Sequence, residues 1–174
     1  RIYKKLKMNL QPSSEITSFI DVPDQKTLEI LYFLNQENTP EVGSLPSEES
    51  LKNLIRLSAL NFYILSDKNI IGFAICFREN SEYQSLNYKF FSDCEEKFLY
   101  IDRVVIREGF RREGSGTKLY NHLSMFAKKE SMPLCCEVNT FPKNEISLNF
   151  HAKNGFSKVG SQNFDDHSVD YLKK

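Results

Sequence analysis

Residues 98–129 constrain the fold of this chain more than any other stretch, because a strand pattern, a loop pattern and a helix pattern follow one another there. The first nine of these residues are almost all apolar or β-branched and include no Gly or Pro, which predicts a buried strand ending near Ile106. The last thirteen carry apolar side chains at helical spacing with lysines on the other side. This spacing predicts an amphipathic helix that packs on a sheet.

The loop between this strand and this helix is rich in glycine and arginine. Gly114 and Gly116 have no Cβ, so a ligand can approach the backbone closely. Gly116 and Thr117 would present unpaired N–H groups at the positive end of the helix dipole. Arg111 and Arg112, immediately upstream, add positive charge and donors suited to phosphate oxygens. The loop is therefore predicted to bind a pyrophosphate group.

Two common phosphate-binding motifs do not fit this loop. The G-x-x-x-x-G-K-[ST] motif requires Lys and Ser or Thr where Ser115 and Gly116 stand, and the G-x-G-x-x-G motif requires Gly where Leu119 stands. The remaining pattern is R-x-x-G-x-G over residues 111–116. It resembles the acetyl-CoA pyrophosphate loop of the GNAT superfamily of N-acetyltransferases. An ordinary surface turn capped by glycines is the alternative for the loop taken alone.

A second block of sequence supports the resemblance. From Asn144 the chain reads NEISLNFHAKNGF, which is similar to the GNAT pattern N-x-x-A-x-x-[LF]-Y-x-x-x-G-F. Ser147 takes the small-residue position, and His151 stands where the family usually has Tyr. Together the resemblance covers about residues 15 to 172. Shorter stretches resemble a bacterial branch of the superfamily with few assigned substrates: residues 42–43, 100–103 and 136–139.

The rest of the chain predicts an α/β fold, with a mixed, mostly antiparallel sheet of six or seven strands and helices on both faces. The strand ending near Ile106 and a strand over 133–139 must run parallel, because a helix connects them. The resemblance implies that these two strands splay apart to admit the pantetheine arm. Further strands are predicted over 14–22, 61–66, 70–78, 156–161 and 167–172, and further helices from Asp24, after an N-cap at Ser47, and over 145–153.

Two segments are predicted to be irregular. The polar segment 35–46 contains Pro and Gly and is expected outside the core; by resemblance it roofs the acceptor site, although a plain connection between helices is the alternative. The aromatic side chains of segment 79–97 are spaced too irregularly for a helix face, so a long loop is expected. Tyr83 and Tyr88 in this loop are candidate substrate contacts, or they pin the loop onto the sheet.

Composition limits the classes of protein to which this chain can belong. With 174 residues, 40% of them apolar, and 23 basic against 23 acidic side chains, the chain is predicted to be a single neutral domain with no nucleic-acid surface. It has no apolar run of membrane-spanning length and no signal-peptide core, so we expect a cytoplasmic protein with no membrane partner. A homodimer is compatible with the sequence. Because Arg1 is not an initiator Met, residues 1–13 are expected to be flexible or non-native.

Cysteine and histidine spacing gives no sign of a metal site. The four cysteines contain no C-x-x-C pair, and Cys135 and Cys136 would point to opposite faces of a strand. They are expected to be reduced thiols with mainly packing roles. The three histidines show no ligand spacing with Cys or acidic residues, so no metal is expected.

The resemblance implies acetyl transfer from acetyl-CoA to a primary amine of a small molecule, peptide or protein, by direct attack on the thioester. A non-catalytic acetyl-CoA sensor is the alternative. Substrate contacts are expected from Glu137, Asn139, Tyr83 and Tyr88. The expected acetyl-CoA contacts are backbone groups of Val104, Val105 and Ile106, the loop residues Arg111, Arg112, Glu113, Gly114, Ser115, Gly116 and Thr117, and Asn144 on the far side.

Two residues are predicted to be catalytic. Asp102 is the first candidate for the general base. Strand alternation would put it on one face with Tyr100, Val104 and Ile106, and the resemblance implies a base at one of the first two of these positions. Glu137 is the rival base, and an ion pair between Asp102 and a basic residue is the structural alternative. His151 takes the position of the family's usual acid, which protonates the departing CoA thiolate. A packing role for His151 is the alternative.

Overall fold

The computed structural model describes residues 14–174, in which a seven-stranded sheet is flanked by helices. The strands are β1 (Glu15–Phe19), β2 (Leu60–Ser66), β3 (Asn69–Arg78), β4 (Leu99–Ile106), β5 (Leu134–Phe141), β6 (Ser157–Asn163) and β7 (Ser168–Lys173). The helices are α1 (Gln25–Glu37), α2 (Glu48–Leu57), α3 (Leu86–Cys94), α4 (Ser115–Lys129) and α5 (Glu145–Lys153). A short 3-10 turn spans Glu108–Phe110.

The sheet has the order β1-β2-β3-β4-β5-β7-β6, and its strand pairs are antiparallel except for β4 with β5. The predicted α/β class and the mostly antiparallel sheet are therefore confirmed. The parallel direction of β4 and β5 is also confirmed, and α4 is the crossover helix that permits it. Residues 1–13, for which a flexible or non-native segment was expected, lie outside the described residues.

Strands β4 and β5 pair only at their beginnings. Leu99 lies opposite Leu134 and Tyr100 opposite Cys135, and within residues 14–174 no further pairs follow. Past Tyr100 the β5-facing edge of β4 therefore has no strand partner, while its other edge continues to pair with β3. The sheet opens at this point.

A β-bulge lies at Asp102. Ile101 pairs with Cys76 and Arg103 pairs with Ile75, so Asp102 has no partner on β3. The extra residue reverses the alternation of side chains beyond it. The expectation that Tyr100, Val104 and Ile106 share one face is therefore wrong: Tyr100 packs in one core cluster, whereas Val104 and Ile106 pack against the other.

The two faces of the sheet carry separate cores. Leucines of α1 and α2 and aromatic residues of α3 cover one face, and Leu119, Leu123 and Ala127 of α4 cover the other. The N-cap predicted at Ser47 is present, because Ser47 Oγ accepts a hydrogen bond from Ser50 N. Asp24, where the first helix was predicted to begin, is the N-cap of α1 and accepts a hydrogen bond from Thr27 N. Helices on both faces of the sheet are thus confirmed.

Two segments differ from the irregular structure expected of them. Segment 79–97 contains helix α3, which begins after Ser85, and this helix buries Tyr88 and Phe91 at a spacing of three residues. In segment 35–46, Asn35, Asn38 and Leu45 are buried, so this loop contributes to the core. Asn35 and Asn38 can be buried because their side chains form hydrogen bonds with neighbouring groups. The sequence pattern did not indicate these bonds.

The cysteines follow the prediction except at one position. Cys135 and Cys136 are buried in opposite core clusters, and Cys76 is buried as well, but Cys94 at the end of α3 is exposed and does not pack. Across residues 14–174 no helix is long and apolar enough to cross a membrane.

Candidate functional site

A cavity of about 670 Å³ lies where β4 and β5 separate. Residues 38–44 of the α1–α2 loop form one side of it, and Asp166 and His167 of the β6–β7 turn form another. Residues 101–104 of β4, residues 136–139 of β5, helix α5 and side chains that include Tyr83, Asn87 and Tyr120 also line it. The α1–α2 loop was expected to roof an acceptor site, and the structure places it against this cavity.

Glu137 presents a carboxylate to the cavity from β5. Its Oε2 accepts a 2.7 Å hydrogen bond from the Tyr100 hydroxyl, and its Oε1 accepts a 3.2 Å bond from Asn87 Nδ2. Burial, together with the nearby Asp102 carboxylate, raises the pKa of Glu137 to about 8, although both hydrogen bonds oppose the rise. Glu137 can therefore hold or release a proton near neutral pH.

Asp102 is committed to an ion pair. Its Oδ2 accepts a 2.9 Å bond from Arg103 Nε, its Oδ1 accepts a 2.7 Å bond from the Tyr83 hydroxyl, and its side chain is only 6% exposed. Arg103 continues to Asn35 Oδ1 at 2.6 Å and to the Gly43 carbonyl at 3.2 Å. The structure thus shows the ion pair that was the alternative to a base role, and this pair ties the α1–α2 loop to β4.

The charges of this region favour a cationic ligand. Burial and the Asp102 carboxylate raise the pKa of Glu137, and Arg103 forms an ion pair with Asp102. One negative charge therefore remains when Glu137 is ionised. An ammonium group entering the cavity would offset that charge and could lose its proton to the same carboxylate.

His151 and Tyr120 form a hydrogen-bonded pair at the wall between α4 and α5. The Tyr120 hydroxyl lies 2.8 Å from His151 Nε2, and His151 Nδ1 lies 2.8 Å from the Ser147 carbonyl oxygen. Because a carbonyl oxygen only accepts, Nδ1 carries the hydrogen, and Nε2 of the neutral ring accepts from Tyr120. Burial lowers the pKa of His151 and so favours this neutral form. Both side chains line the cavity.

The glycine-rich loop enters α4 as the sequence predicted. Gly114 is the N-cap with φ +84°, and the first intrahelical bond runs from Lys118 N to the Gly114 carbonyl. The N–H groups of Ser115, Gly116 and Thr117 precede that bond and have no helical acceptor. Three donors at the positive end of a 15-residue helix fit an anionic group.

Arg111 is exposed, and its guanidinium forms hydrogen bonds with two neighbouring parts of the protein. Its Nε donates to the Ile106 carbonyl at 3.0 Å, and its Nη2 bonds Asn38 Oδ1. Arg112, with φ +64°, and Glu113 are exposed beside the same loop. Arg111 thus joins the end of β4 to the α1–α2 loop and keeps only part of its donor capacity for a phosphate.

The structure brings seven of the predicted residues to this cavity. Tyr83, Asp102, Val104, Glu137, Asn139, Asn144 and His151 line it. The side chain of Val105 lies in the core, and so does Tyr88, whose hydroxyl bonds the Arg78 carbonyl. Asn144 caps α5 through Oδ1, which accepts from Ser147 N.

Three functional candidates were missed by sequence reasoning. Tyr100 and Asn87 bond Glu137, and Tyr120 bonds His151. Tyr120 could have been found from its place beside Leu119 on the sheet-facing side of α4, and Tyr100 from its strand position. No signal marked Asn87, because α3 itself was not predicted.

Comparison with known proteins identifies the family. A family model described as the acetyltransferase (GNAT) family matches residues 28–156, which is more than half of the chain. The chain belongs to this family, whose members are acetyl-CoA-dependent acyltransferases.

Solved structures of N-acetyltransferases share the fold. The ribosomal-protein-S18-alanine N-acetyltransferase of Escherichia coli matches with a TM-score of 0.67 and 16% identity, covering 92% of each chain. Arabidopsis thaliana Naa50, solved with the bisubstrate analogue CoA-Ac-MVNAL, matches with a TM-score of 0.65 and 21% identity, and the match covers 91% of this chain and 97% of Naa50. Arabidopsis thaliana NAA60, solved with acetyl-CoA, matches with a TM-score of 0.67 and 16% identity. This match covers 91% of this chain and 98% of NAA60.

Proposed function

We propose that this protein transfers the acetyl group of acetyl-CoA to a primary amine, with Glu137 as the general base. The observation that carries the proposal is the position of Glu137: a carboxylate with a pKa of about 8 faces the cavity that opens where β4 and β5 separate. A base is most effective when its pKa lies near the working pH. Asp102 is the weaker candidate, because both of its oxygens already accept hydrogen bonds.

The chain offers two matching contacts for acetyl-CoA. The unpaired edge of β4 beyond Tyr100 can accept the pantetheine arm as an added strand, with the N–H and carbonyl groups of residues 104–106 as partners. The N–H groups at the start of α4 then receive the pyrophosphate. An N–H near Val104 would stabilise the oxyanion that forms at the thioester carbonyl. The amide nitrogen of Asn144 remains available to the cofactor, since its oxygen caps α5.

The pKa of Glu137 favours an α-amine as the acceptor. Moving a proton from a lysine ammonium, with a pKa near 10.4, to a carboxylate with a pKa of about 8 costs about 3 kcal/mol. From an α-ammonium, with a pKa near 7.8, the same transfer costs almost nothing. The names of the neighbours agree, since one acts on a ribosomal-protein alanine and another was solved with CoA linked to the peptide MVNAL.

The test measures binding and turnover separately. Calorimetry with acetyl-CoA should show saturable binding. The rate of thiol release should be higher with short lysine-containing peptides that have a free α-amine than with the same peptides blocked at the α-amine. Glu137→Gln should lower kcat/KM by at least about 100-fold with acetyl-CoA affinity unchanged. Glu82→Gln, at an exposed carboxylate outside the cavity, is the matched control.

Each alternative has its own outcome. Binding of acetyl-CoA without thiol release from any amine would make the protein a sensor module. No binding at all would reject both the enzyme and the sensor. Equal rates for wild type and Glu137→Gln would reject Glu137 as the base while leaving acetyl transfer intact.

A further inference from the structure

We propose that Tyr120 and His151 form a proton shuttle that carries a proton from the attacking amine nitrogen to the departing sulfur. The inference rests on the proposed function, which supplies the thioester and the amine. It assigns a reacting role to Tyr120 and makes His151 the partner that holds the proton. His151 then acts through Tyr120 and need not touch the substrate.

The hydrogen bonds around Tyr120 and His151 fix the direction in which the pair can pass a proton. The Ser147 carbonyl holds the hydrogen on His151 Nδ1, so Nε2 of the neutral ring has a lone pair, and the Tyr120 hydroxyl donates to it at 2.8 Å. The lone pairs of the Tyr120 oxygen are then free to accept a proton. In this state the pair cannot donate to a thiolate, because the hydroxyl hydrogen is committed to Nε2. It must first receive a proton.

The attacking amine can supply that proton. After nitrogen bonds to the thioester carbon, the intermediate carries a protonated nitrogen, an oxyanion and the sulfur. Tyr120 Oη accepts a proton from the nitrogen as its own hydrogen passes to His151 Nε2, which creates an imidazolium. When the carbon–sulfur bond breaks, its electron pair goes to sulfur and the oxyanion re-forms the carbonyl. Tyr120 then protonates the sulfur and recovers its hydrogen from Nε2.

The proton count closes without an outside donor. One proton moves from nitrogen to sulfur, and both residues return to their neutral starting forms. A single hydroxyl can serve both atoms, since nitrogen and sulfur are bonded to the same carbon in the intermediate. Glu137 has a separate task, which is to remove the first proton from the ammonium before attack.

The surroundings of the pair suit this role. Both residues line the cavity, and both are more than 90% buried by area, so bulk water has limited access. Phe150 and Phe156 pack edge-on against the His151 ring and hold its plane. Burial raises the pKa of Tyr120, and Cys136 and Glu137 on β5 and Cys76 on β3 contribute to the rise. His151 Nε2, at 2.8 Å, is the hydrogen-bond partner of the Tyr120 hydroxyl.

The first test compares Tyr120→Phe with a matched control. Tyr120→Phe should lower kcat by about 10- to 100-fold and leave the dissociation constant of acetyl-CoA within about twofold. Tyr63→Phe removes the hydroxyl of a partly buried tyrosine on β2, a strand that contributes no residue to the cavity lining, and should keep kcat. Wild-type kcat in Tyr120→Phe would overturn the shuttle while leaving the proposed function intact. A wild type that acetylates no amine would overturn both.

The second test addresses His151. His151→Ala leaves space for exogenous imidazole, which should restore kcat at least about tenfold if the ring stores a proton. The same imidazole should not rescue the double variant Tyr120→Phe/His151→Ala, because the hydroxyl that reaches the substrate is missing. Rescue of the double variant, or no rescue of either, would overturn the role of His151.

A third measurement does not depend on any variant folding. Nitrogen NMR of the wild-type imidazole should show hydrogen on Nδ1 and an unprotonated Nε2 at neutral pH. Hydrogen on Nε2 would overturn the proposal, because Tyr120 would then have no acceptor.

Discussion

The Tyr100 hydroxyl donates a 2.7 Å hydrogen bond to Glu137 Oε2 beside the last residue pair that joins β4 to β5. This bond stabilises the charged carboxylate and therefore lowers its pKa, whereas burial and the Asp102 charge raise it. The value of about 8 is the balance of these opposing effects. The Tyr100 bond and the Asp102 charge act in opposite directions, so substitution of one or the other residue can shift the balance either way.

Removing the Tyr100 hydroxyl should raise the pKa of Glu137. In Tyr100→Phe the carboxylate loses a donor to its charged form, so the rising limb of kcat/KM against pH should move up by about one pH unit. The profile is measured with saturating acetyl-CoA and an α-amine peptide. Tyr63→Phe, which removes a hydroxyl outside the cavity, is the control and should leave the limb in place. An unmoved limb in Tyr100→Phe would show that Glu137 does not control the rate.

Removing the Asp102 charge should shift the same limb the other way. Asp102→Asn eliminates the carboxylate that helps to raise the pKa of Glu137, so the limb should move to lower pH while activity at high pH persists. The variant should also lose about 3 kcal/mol of unfolding free energy, because Arg103 stays buried without its ion pair. Urea titration measures the second effect.

The same variant decides between the two candidate bases. If Asp102 is the base, Asp102→Asn loses activity at every pH and no shifted limb is seen. Full retention of kcat/KM from about pH 6 to 9 would reject the base role first predicted for Asp102.

The sequence predicted most of the framework, including the glycine-rich loop that enters α4, because those features are local. Strand β4, the glycine-rich loop and helix α4 follow one another along 98–129, and the pattern from Asn144 lies in one helix and its turn. Hydrophobic periodicity and the lack of Cβ atoms are visible in such short windows. The opening between β4 and β5 was predicted from the family resemblance, whereas the register of the two strands is known only from the structure.

The acceptor side could not be predicted in the same way. The bulge at Asp102 depends on how β4 pairs with β3, and a single inserted residue changes which side chains face the same way. The bond between Asn87 and Glu137 joins residues 50 positions apart. The pKa of Glu137 depends on burial and on Asp102, which lies on another strand, so the choice between the two carboxylates needed three-dimensional contacts.

An ion pair at the end of β3 should make the free energy of unfolding decrease at low pH. Arg78 bonds both oxygens of Glu79 at 2.7 and 2.9 Å, and these bonds hold the pKa of Glu79 at about 2. A carboxyl with a lowered pKa stabilises the fold above its unfolded pKa near 4.5, and this stabilisation is lost as the pH falls towards 2. Glu79→Gln should therefore cost about 1 to 2 kcal/mol at pH 7.

The pH series separates this ion pair from a packing effect. Chemical denaturation of wild type and Glu79→Gln should give unfolding free energies that differ at pH 7 and converge near pH 2, and exposed Glu82→Gln should match wild type throughout. A difference that persists at low pH would assign the effect to altered packing at position 79.

Gly116 tests whether the start of α4 receives the pyrophosphate. A Cβ built there would meet Ile106 Cδ1 at 3.6 Å and Phe150 Cζ at 3.7 Å, which are ordinary contacts, so Gly116→Ala should fold normally. The branched side chain of Gly116→Val would extend further into the gap between the end of β4 and α5. That gap is where the proposed pantetheine path approaches the loop. Gly116→Val should therefore weaken acetyl-CoA binding by at least about tenfold, a loss of about 1.4 kcal/mol.

Gly109→Ala is the matched control, because a Cβ at Gly109 meets nothing within 4 Å and lies outside the helix start. Calorimetry with acetyl-CoA gives the affinity, and thermal unfolding without ligand verifies that each variant is folded. Graded loss from Gly116→Ala to Gly116→Val, with Gly109→Ala unchanged, is expected if the phosphates contact this helical turn. Equal affinity in all three folded variants would place the phosphate contacts elsewhere, because a side chain cannot fill the path of a bound ligand without cost.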